Sequence, residues 1–473
     1  MFLPEAFIKQ TQEQLGVEAE KLFSALEEPA SVSVRLNTQK VCENTREGIN
    51  LPFAEKVPWA SYGHYLTQRP AFTFDPLLHA GCYYVQEASS MFVEHAIREA
   101  LVGLGATAVR MLDLCAAPGG KSTLAASVLP EGSLLVANEL IRTRANILAE
   151  NLIKWGNPDV IVTQSDPSAF SGLTHFFDVI LTDVPCSGEG MFRKDPGAIS
   201  EWSEDNVRLC ASRQRDILNH CWSALRPGGF LIYSTCTFNR QEDEDNVRWA
   251  CEELGANLLE IPVQSEWKIT GSLGFTSDPS QRSDFPVYHF LPHETKGEGF
   301  FLALLQKNDG PYTPERVSKI KSGNNQKKQP TVPDAVRNML KTPDAYDFSY
   351  NRVGSICALH KEHKTALQQL EEKLRIVHSG VILGEMKGKD LVPDISLALS
   401  TELDLSAVKT CTLDLKQSIA YLRREALVLP ETCPLGWVLM IYEGHPLGWM
   451  KNIGNRANNA YPSEWRIRSE NPY

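Results

Sequence analysis

FDVILTDVPCSGEG, residues 177–190, is an apolar run, Val179-Ile180-Leu181, that carries the backbone into Thr182-Asp183-Val184-Pro185-Cys186 and then into a glycine-rich turn. A buried parallel strand delivers reactive groups to the carboxyl edge of a sheet in this way. Two further stretches have the same form. Residues 112–122 lie upstream, and Tyr233-Ser234-Thr235-Cys236-Thr237 lies downstream; each is a short apolar run breaking into small, polar or thiol residues. Three strand ends are therefore expected to converge on one pocket.

Around these stretches, from about 108 to 307, short apolar runs alternate with longer helical patterns, which predicts an α/β, doubly wound, mostly parallel sheet of the Rossmann-like kind. Strands are expected over 109–114, 133–138, 159–163, 177–183 and 229–234. Residues 286–291 and 299–305 are spaced like the antiparallel strands that close such a sheet. The working division is an N-terminal α+β appendage over 1–75 and a catalytic domain over 76–307. A basic linker over 308–335 contains Lys319, Lys321, Lys327 and Lys328, followed by a middle unit over 336–400 and a last α+β unit over 401–473. In the appendage, Arg35 on a strand-like run reads as a phosphate contact or a solvated residue. In the middle unit, Arg375-Ile376-Val377-His378, the turn Ser379-Gly380 and Val381-Ile382-Leu383-Gly384 read as a hairpin. The last unit is expected to hold a helix over 415–424 and a strand pair, 436–442 and 447–452, joined by Glu443-Gly444-His445-Pro446.

The 473 residues suit roughly two to four domains, and 42% hydrophobic residues suffice for ordinary cores. The net charge of -11 and pI near 5.6 argue weakly against nucleic acid as partner, since a large enzyme can confine its basic residues to one face. Eleven cysteines show no paired spacing, so neither a disulfide framework nor a Cys-x-x-Cys metal site is expected. No segment has the apolar length of a membrane span, and the expected location is the cytoplasm.

The chemistry concentrates at the strand ends. Cys115, Ala116, Ala117, Pro118, Gly119, Gly120, Lys121 and Ser122 follow a strand and open a helix, where small residues let a ligand approach the backbone. A nucleoside triphosphate and S-adenosylmethionine compete for this loop. Gly120-Lys121-Ser122 matches the end of a Walker A loop, but Cys115 stands where its leading glycine belongs. S-adenosylmethionine needs no such glycine, and Glu139, ending the second strand about 20 residues on, is placed to accept hydrogen bonds from ribose hydroxyls. Its alternative role is to cap the helix that begins near Arg142. Asp166, after the third strand, is placed to meet the exocyclic amine of adenine or to cap the segment opening with Pro167-Ser168. Asp183 then lies near the methyl-donor end. Cys115 reads as a small packing residue beneath the loop. Cys186 and Cys236, by contrast, end neighbouring strands among small and hydroxylated residues. A thiol pair there makes sense for a pyrimidine, because C5 of cytosine becomes nucleophilic only after a nucleophile adds at C6. One thiol suffices to add, and a second is useful for proton removal at C5 or for release.

The runs CAAPGGKS (115–122), DVPCSGEG (183–190), RKDP (193–196), RPGG (226–229) and YSTCT (233–237) together resemble the NOL1/NOP2/Sun family of RNA 5-methylcytosine methyltransferases. The likeness covers about 30 to 307, with Arg35-Leu36-Asn37-Thr38 and Val85-Gln86-Glu87-Ala88-Ser89 fitting its early motifs. The two C-terminal units, with Gly380 to Glu385 and Gly444 to Trp449, resemble the tail of the family's bacterial 16S rRNA enzymes, the last being similar to a PUA domain. The resemblance implies that Cys236 is the nucleophile, that Cys186 helps release product, and that Cys115 to Lys121, Glu139, Asp166 and Asp183 hold S-adenosylmethionine, with Asp183 also near the base. It implies a ribosomal RNA partner (16S rRNA or the 30S subunit), no membrane, no metal and a monomer. Departures are small: Ser122 for threonine and Val184 for alanine. Arg193, Lys194, the linker lysines, Lys451, Arg456, Arg466 and Arg468 are the basic residues available to RNA. Transfer RNA as substrate, a DNA cytosine methyltransferase using Pro185-Cys186, an NTPase built on Lys121 and an inert RNA-docking module are the competing readings. Cys236 tells against the second, and the intact thiol pair against the last.

Overall fold

The computed structural model describes residues 2–44, 46, 48–273, 285–308 and 331–469. The linker lysines Lys319, Lys321, Lys327 and Lys328 lie outside the described residues.

At the centre is a nine-stranded sheet in the order Ala256–Leu259, Phe300–Lys307, Leu225–Thr235, Phe177–Asp183, Arg110–Asp113, Leu134–Asn138, Val160–Thr163 and Ile376–Ser379, with Tyr288–Phe290 paired to Phe300–Lys307. The five strands from Leu225–Thr235 to Val160–Thr163 run parallel. The pairings of Phe300–Lys307 are antiparallel, as its spacing predicts. Strands such as Leu134–Asn138 are buried throughout because both faces are covered. One face packs against the helices Val93–Leu104, Gly120–Val128 and Arg142–Trp155. The other takes Glu204–Trp222, Glu244–Glu253 and Lys364–Lys373, the last contributed by the middle unit. The order of strands reverses between Arg110–Asp113 and Phe177–Asp183, which is where doubly wound sheets open a crevice at their carboxyl edge.

Three smaller sheets surround this one. The first has the order Phe53–Lys56, Gly63–Leu66, Ser33–Leu36 and Tyr83–Val85, and so takes in a strand beyond residue 75. The second contains Tyr346–Tyr350, Ile356–His360, Val381–Lys387 and Asp390–Pro393; the third contains Thr410–Thr412, Gly436–Tyr442, His445–Asn452 and Ala457–Asn459. In the third, the strand pair is joined by Glu443 and Gly444 alone, both at positive φ. That is the tight hairpin whose twist matches its strands, so the second strand begins at His445 and not at Leu447.

The hairpin expected over 375–384 does not form. Ile376–Ser379 pairs antiparallel with Val160–Thr163, while Val381–Lys387 pairs with Ile356–His360 and Asp390–Pro393. Gly380, at φ +60, turns the chain from one sheet into the other, and its N–H donates to the Val160 carbonyl at 3.0 Å. The physical reason is the open edge of Val160–Thr163: unpaired backbone groups there are satisfied by a strand borrowed from the middle unit.

Arg35 is neither a solvated residue nor a phosphate contact. It is 2% exposed, donates to Gln86 Oε1 at 2.8 Å and Thr123 Oγ1 at 2.6 Å, and lies 4.5 Å over the Trp155 ring. Burial brings its pKa down to about 9. Lys40 serves a similar purpose at another joint, donating to the carbonyls of Ala80, Lys154 and Leu399 at 2.7–2.8 Å and so tying three units together. Among the described residues, no helix is long and apolar enough to cross a membrane.

Candidate active site

The loop after Arg110–Asp113 is held from behind by the neighbouring strand and helix. Ala116 N–H donates to the Asn138 carbonyl at 2.8 Å, while Arg144 and Asn151 donate to the carbonyls of Ala117 and Pro118 at 3.0 and 2.8 Å. Gly119 turns the chain at φ +117, a conformation that a side chain would strain, and Gly120 starts the helix.

Two cavities meet at this loop, and Cys115 lines both. The first, about 670 Å³, is bounded by Glu139, Leu140, Ile141, Asp166, Pro167 and Pro185. Glu139 is buried; its Oε1 accepts from Ile141 N–H at 3.0 Å, one residue ahead of the helix Arg142–Trp155, which has no side-chain cap, and its Oε2 lies 3.4 Å from Arg144. Asp166 is exposed and accepts from the N–H and hydroxyl of Ser168 through Oδ1, bonds that hold its carboxylate below the usual range. Asp166 thus caps the segment that follows it, while Glu139 does not cap its helix. The second cavity, about 440 Å³, is lined by Asp113, Lys121, Asp183, Cys236, Tyr84 and Phe300 among others.

In the second cavity the three strand ends come together. Lys121 Nζ is 2.7 Å from Asp183 Oδ2, and Asp183 Oδ1 accepts from Ser234 Oγ at 3.0 Å. Burial alone would lower the Lys121 ammonium; the charge and hydrogen bond of Asp183 more than offset this and raise its pKa. Cys186 Sγ lies 3.0 Å from Cys236 Sγ and accepts from Cys236 N–H at 3.4 Å. The hydrogen bond to Cys236, together with burial, pushes the Cys186 thiol well above its ordinary range, so it is protonated at neutral pH.

Several residues that shape the site were given no role from the sequence, Asp113 and Glu189 although they lie within the stretches singled out there. Asp113 is fully buried; Oδ2 accepts from Ser122 at 2.6 Å, Oδ1 has no hydrogen-bond partner among the described residues, and burial raises the pKa to about 7. Behind the thiols, two buried carboxylates clamp the two cysteine loops together. Glu189 accepts from Thr237 Oγ1 and Phe238 N–H, both at 2.8 Å, and from Trp202 Nε1 at 2.9 Å. Glu242 accepts from Ser187 N–H at 3.0 Å and from Gln214 and Asn239 at 2.7 Å. Glu189 lies in a glycine-rich turn and Glu242 in the charged run QEDED, where nothing local shows which acids are buried. Arg193 corrects an expectation: instead of facing RNA, it is buried, with Nε 2.7 Å from Glu298 and further bonds to the carbonyls of Ala25 and Gly297. Lys194 does line the catalytic cavity.

Comparison with known proteins bears on this geometry. Residues 106–306 match the family model described as 16S rRNA methyltransferase RsmB/F, residues 3–88 the N-terminal domain of 16S rRNA methyltransferase RsmF, and residues 408–467 the RsmF PUA domain. The ribosomal RNA small subunit methyltransferase F of Aliivibrio fischeri is 30% identical over 98% of this chain and 98% of its own. The chain belongs to this methyltransferase F family. The corresponding Shewanella loihica protein is 31% identical over 94% of this chain and 91% of its own. Among solved structures, a methyltransferase homologue from Pyrococcus horikoshii is 28% identical with a TM-score of 0.53, covering 64% of this chain and 95% of that one. Membership establishes an S-adenosylmethionine-dependent RNA methyltransferase within the wider NOL1/NOP2/Sun group, and sets aside the NTPase and the inert-module readings.

The residues present suit that cofactor. Glu139 and Asp166 line one cavity at the loop, Asp113 and Asp183 line the other, and Asp113 Oδ1 is a buried acceptor with no hydrogen-bond partner among the described residues.

Proposed function

We propose that this protein methylates C5 of a cytosine in 16S rRNA, by way of a covalent bond between Cys236 and C6 of the base. The observation that carries the reading is the pair of thiols, Cys186 and Cys236, 3.0 Å apart beside Lys121 and Asp183 at the ends of adjacent parallel strands. The names of the relatives supply the small-subunit rRNA. The protein would act in the cytoplasm as a monomer.

In this mechanism Glu139, Asp166 and the loop 115–121 hold S-adenosylmethionine, which supplies an electrophilic methyl group when bound. The target base leaves its stack at a cost of a few kcal/mol, least for a base in a loop or junction. Cys236 then loses its thiol proton to solvent and adds through sulfur to C6, and C5 gains enamine character. Lys121 keeps its positive charge close to Cys236, and its bond to Asp183 holds it there. After C5 carries its new methyl group, Cys186 gives its proton to the departing Cys236 sulfur. The thiolate so formed takes the C5 proton, which restores aromaticity and both thiols. A Cys186 that is neutral before this step is what the release requires.

The test is a denaturing gel of protein incubated with S-adenosylmethionine and labelled 16S rRNA fragments, with transfer RNA as the competing substrate. Cys186→Ala should accumulate a protein–RNA adduct; Cys236→Ala should form none and transfer no methyl group. An adduct that depends on Cys186, or labelling of transfer RNA in preference to 16S fragments, would overturn the assignment.

A further inference from the structure

Far from the thiols, where the middle unit meets the open edge of the central sheet, two imidazoles converge on one carboxylate oxygen. His360 Nδ1 is 2.5 Å and His363 Nε2 is 3.2 Å from Asp159 Oδ1. Asp159 immediately precedes the strand Val160–Thr163, His360 ends the strand Ile356–His360, and His363 closes the single 3-10 turn Lys361–His363. Residues three apart eclipse each other on such a turn, so both rings project to the same side. Tyr346 stacks on His360 with ring centroids 4.2 Å apart, which fixes that ring.

We infer that Asp159, His360 and His363 form a binding site for one divalent transition-metal ion of the zinc class, joining the middle unit to the methyltransferase sheet. Both imidazoles reach the same carboxylate oxygen, but only the His360 contact has hydrogen-bond geometry. The His363 side chain is only 6% exposed, and its Nε2, aimed at the shared oxygen, makes no hydrogen bond among the described residues. Metal ligands about 2.0 Å from a tetrahedral centre stand about 3.3 Å apart, so the two histidine–carboxylate distances need to open by less than about 1 Å, and all three donor atoms lie within 4.8 Å of one another. Two imidazole nitrogens and a carboxylate suit zinc over the all-oxygen preference of magnesium or calcium. The fourth position has room: Asp159 and His360 line a polar cavity of about 730 Å³ that also contains Glu402, Asn157 and Lys341, and a water there would complete the tetrahedron. The donors come from positions about 200 apart in the chain, so this site owes nothing to cysteine spacing and was hidden from it.

Because Cys186 and Cys236 form a second soft donor pair, the experiment uses the full chain carrying Cys186→Ala and Cys236→Ala, stripped with chelator and titrated with zinc alone. One equivalent is expected to bind and to raise the melting temperature. His363→Gln and His360→Asn, added singly to this background, should each weaken binding by about 100-fold, the usual order for losing part of a metal's ligand support. X-ray absorption at the zinc edge should show nitrogen and oxygen neighbours and no sulfur. That spectrum needs no histidine variant, and it should count two imidazoles; a single imidazole, which is all that the clusters Glu18, His293, Glu294 and Asp243, Glu244, His289 can supply, would overturn the proposal even if the variants fold poorly. Failure to bind zinc, binding unchanged in His363→Gln, or sulfur around the metal overturns the proposal.

Discussion

Asp113 shows how one buried atom can set a pH dependence. Its carboxyl is raised from 3.8 to about 7 by burial, with the Ser122 hydrogen bond working in the opposite direction. A carboxyl whose pKa is higher folded than unfolded favours the folded state fully below the unfolded value, and that contribution is lost as pH rises through the folded one. Its window therefore runs from about pH 4 to about pH 7. Glu242, also raised to about 7, titrates over the same range, so the comparison must be with Asp113→Asn and not with a pH curve alone. The melting temperature of the cofactor-free wild type, measured relative to Asp113→Asn, should fall as pH goes from 5 to 8; a constant difference would show that Asp113 stays ionised or stays neutral throughout. The thiols follow the same rule of proximity. Cys186 is an ordinary residue by type, and its neighbour Cys236, together with burial, keeps it a neutral thiol.

Among the elements, Ile376–Ser379 is the most exacting. It completes the edge of the central sheet and hands the chain to Val381–Lys387 across a single glycine. A Cβ on Gly380 would sit 2.2 Å from the Ala358 carbonyl oxygen, and the φ of +60 is one that side chains rarely adopt. Gly380→Ala should cost more than about 1 kcal/mol in urea unfolding, the ordinary figure for alanine at positive φ, because the clash adds to the backbone strain. Gly354, with φ +91 and open space among the described residues where a Cβ would stand, is the matched control: Gly354→Ala carries the backbone strain alone and should cost less. Equal losses at the two positions would mean that the strand crossing is not under the constraint described.

The whole molecule reconciles an acidic chain with an RNA substrate. The net charge is -11, yet Lys194 lines the catalytic cavity, and Arg456, Arg466 and Arg468 are exposed on the last unit. Arg193, once bonded to Glu298, is withdrawn from that set. The N-terminal sheet and the last sheet share one apolar core, in which Val34 and Leu36 belong to the same cluster as Val438 and Met450. Basic residues on the last unit are therefore carried in a set relation to the N-terminal wall of the cavity. RNA affinity should fall more than about tenfold between about 50 and 200 mM salt, since each phosphate contact releases counterions. Charge reversal of Arg466 and Arg468 should flatten that slope, and a salt-independent affinity would rule out a localised basic face.

What the amino-acid order determined by itself was the buried strands of the central sheet and what stands at their ends. Apolar runs such as Val179-Ile180-Leu181, breaking into Asp183, Pro185 and Cys186, declare a buried strand and what it delivers at its end. Because parallel neighbours deliver their ends to one edge, the meeting of Cys186, Cys236, Lys121 and Asp183 was legible from the chain alone. The tertiary structure alone decided which open edge recruits Ile376–Ser379, that Arg35 and Arg193 turn inward to partners far along the chain, and which acids of 242–245 are buried. Pairing across an edge and burial of a charge depend on groups distant in sequence that must each find a partner once water is excluded, and a local pattern holds no record of who that partner is.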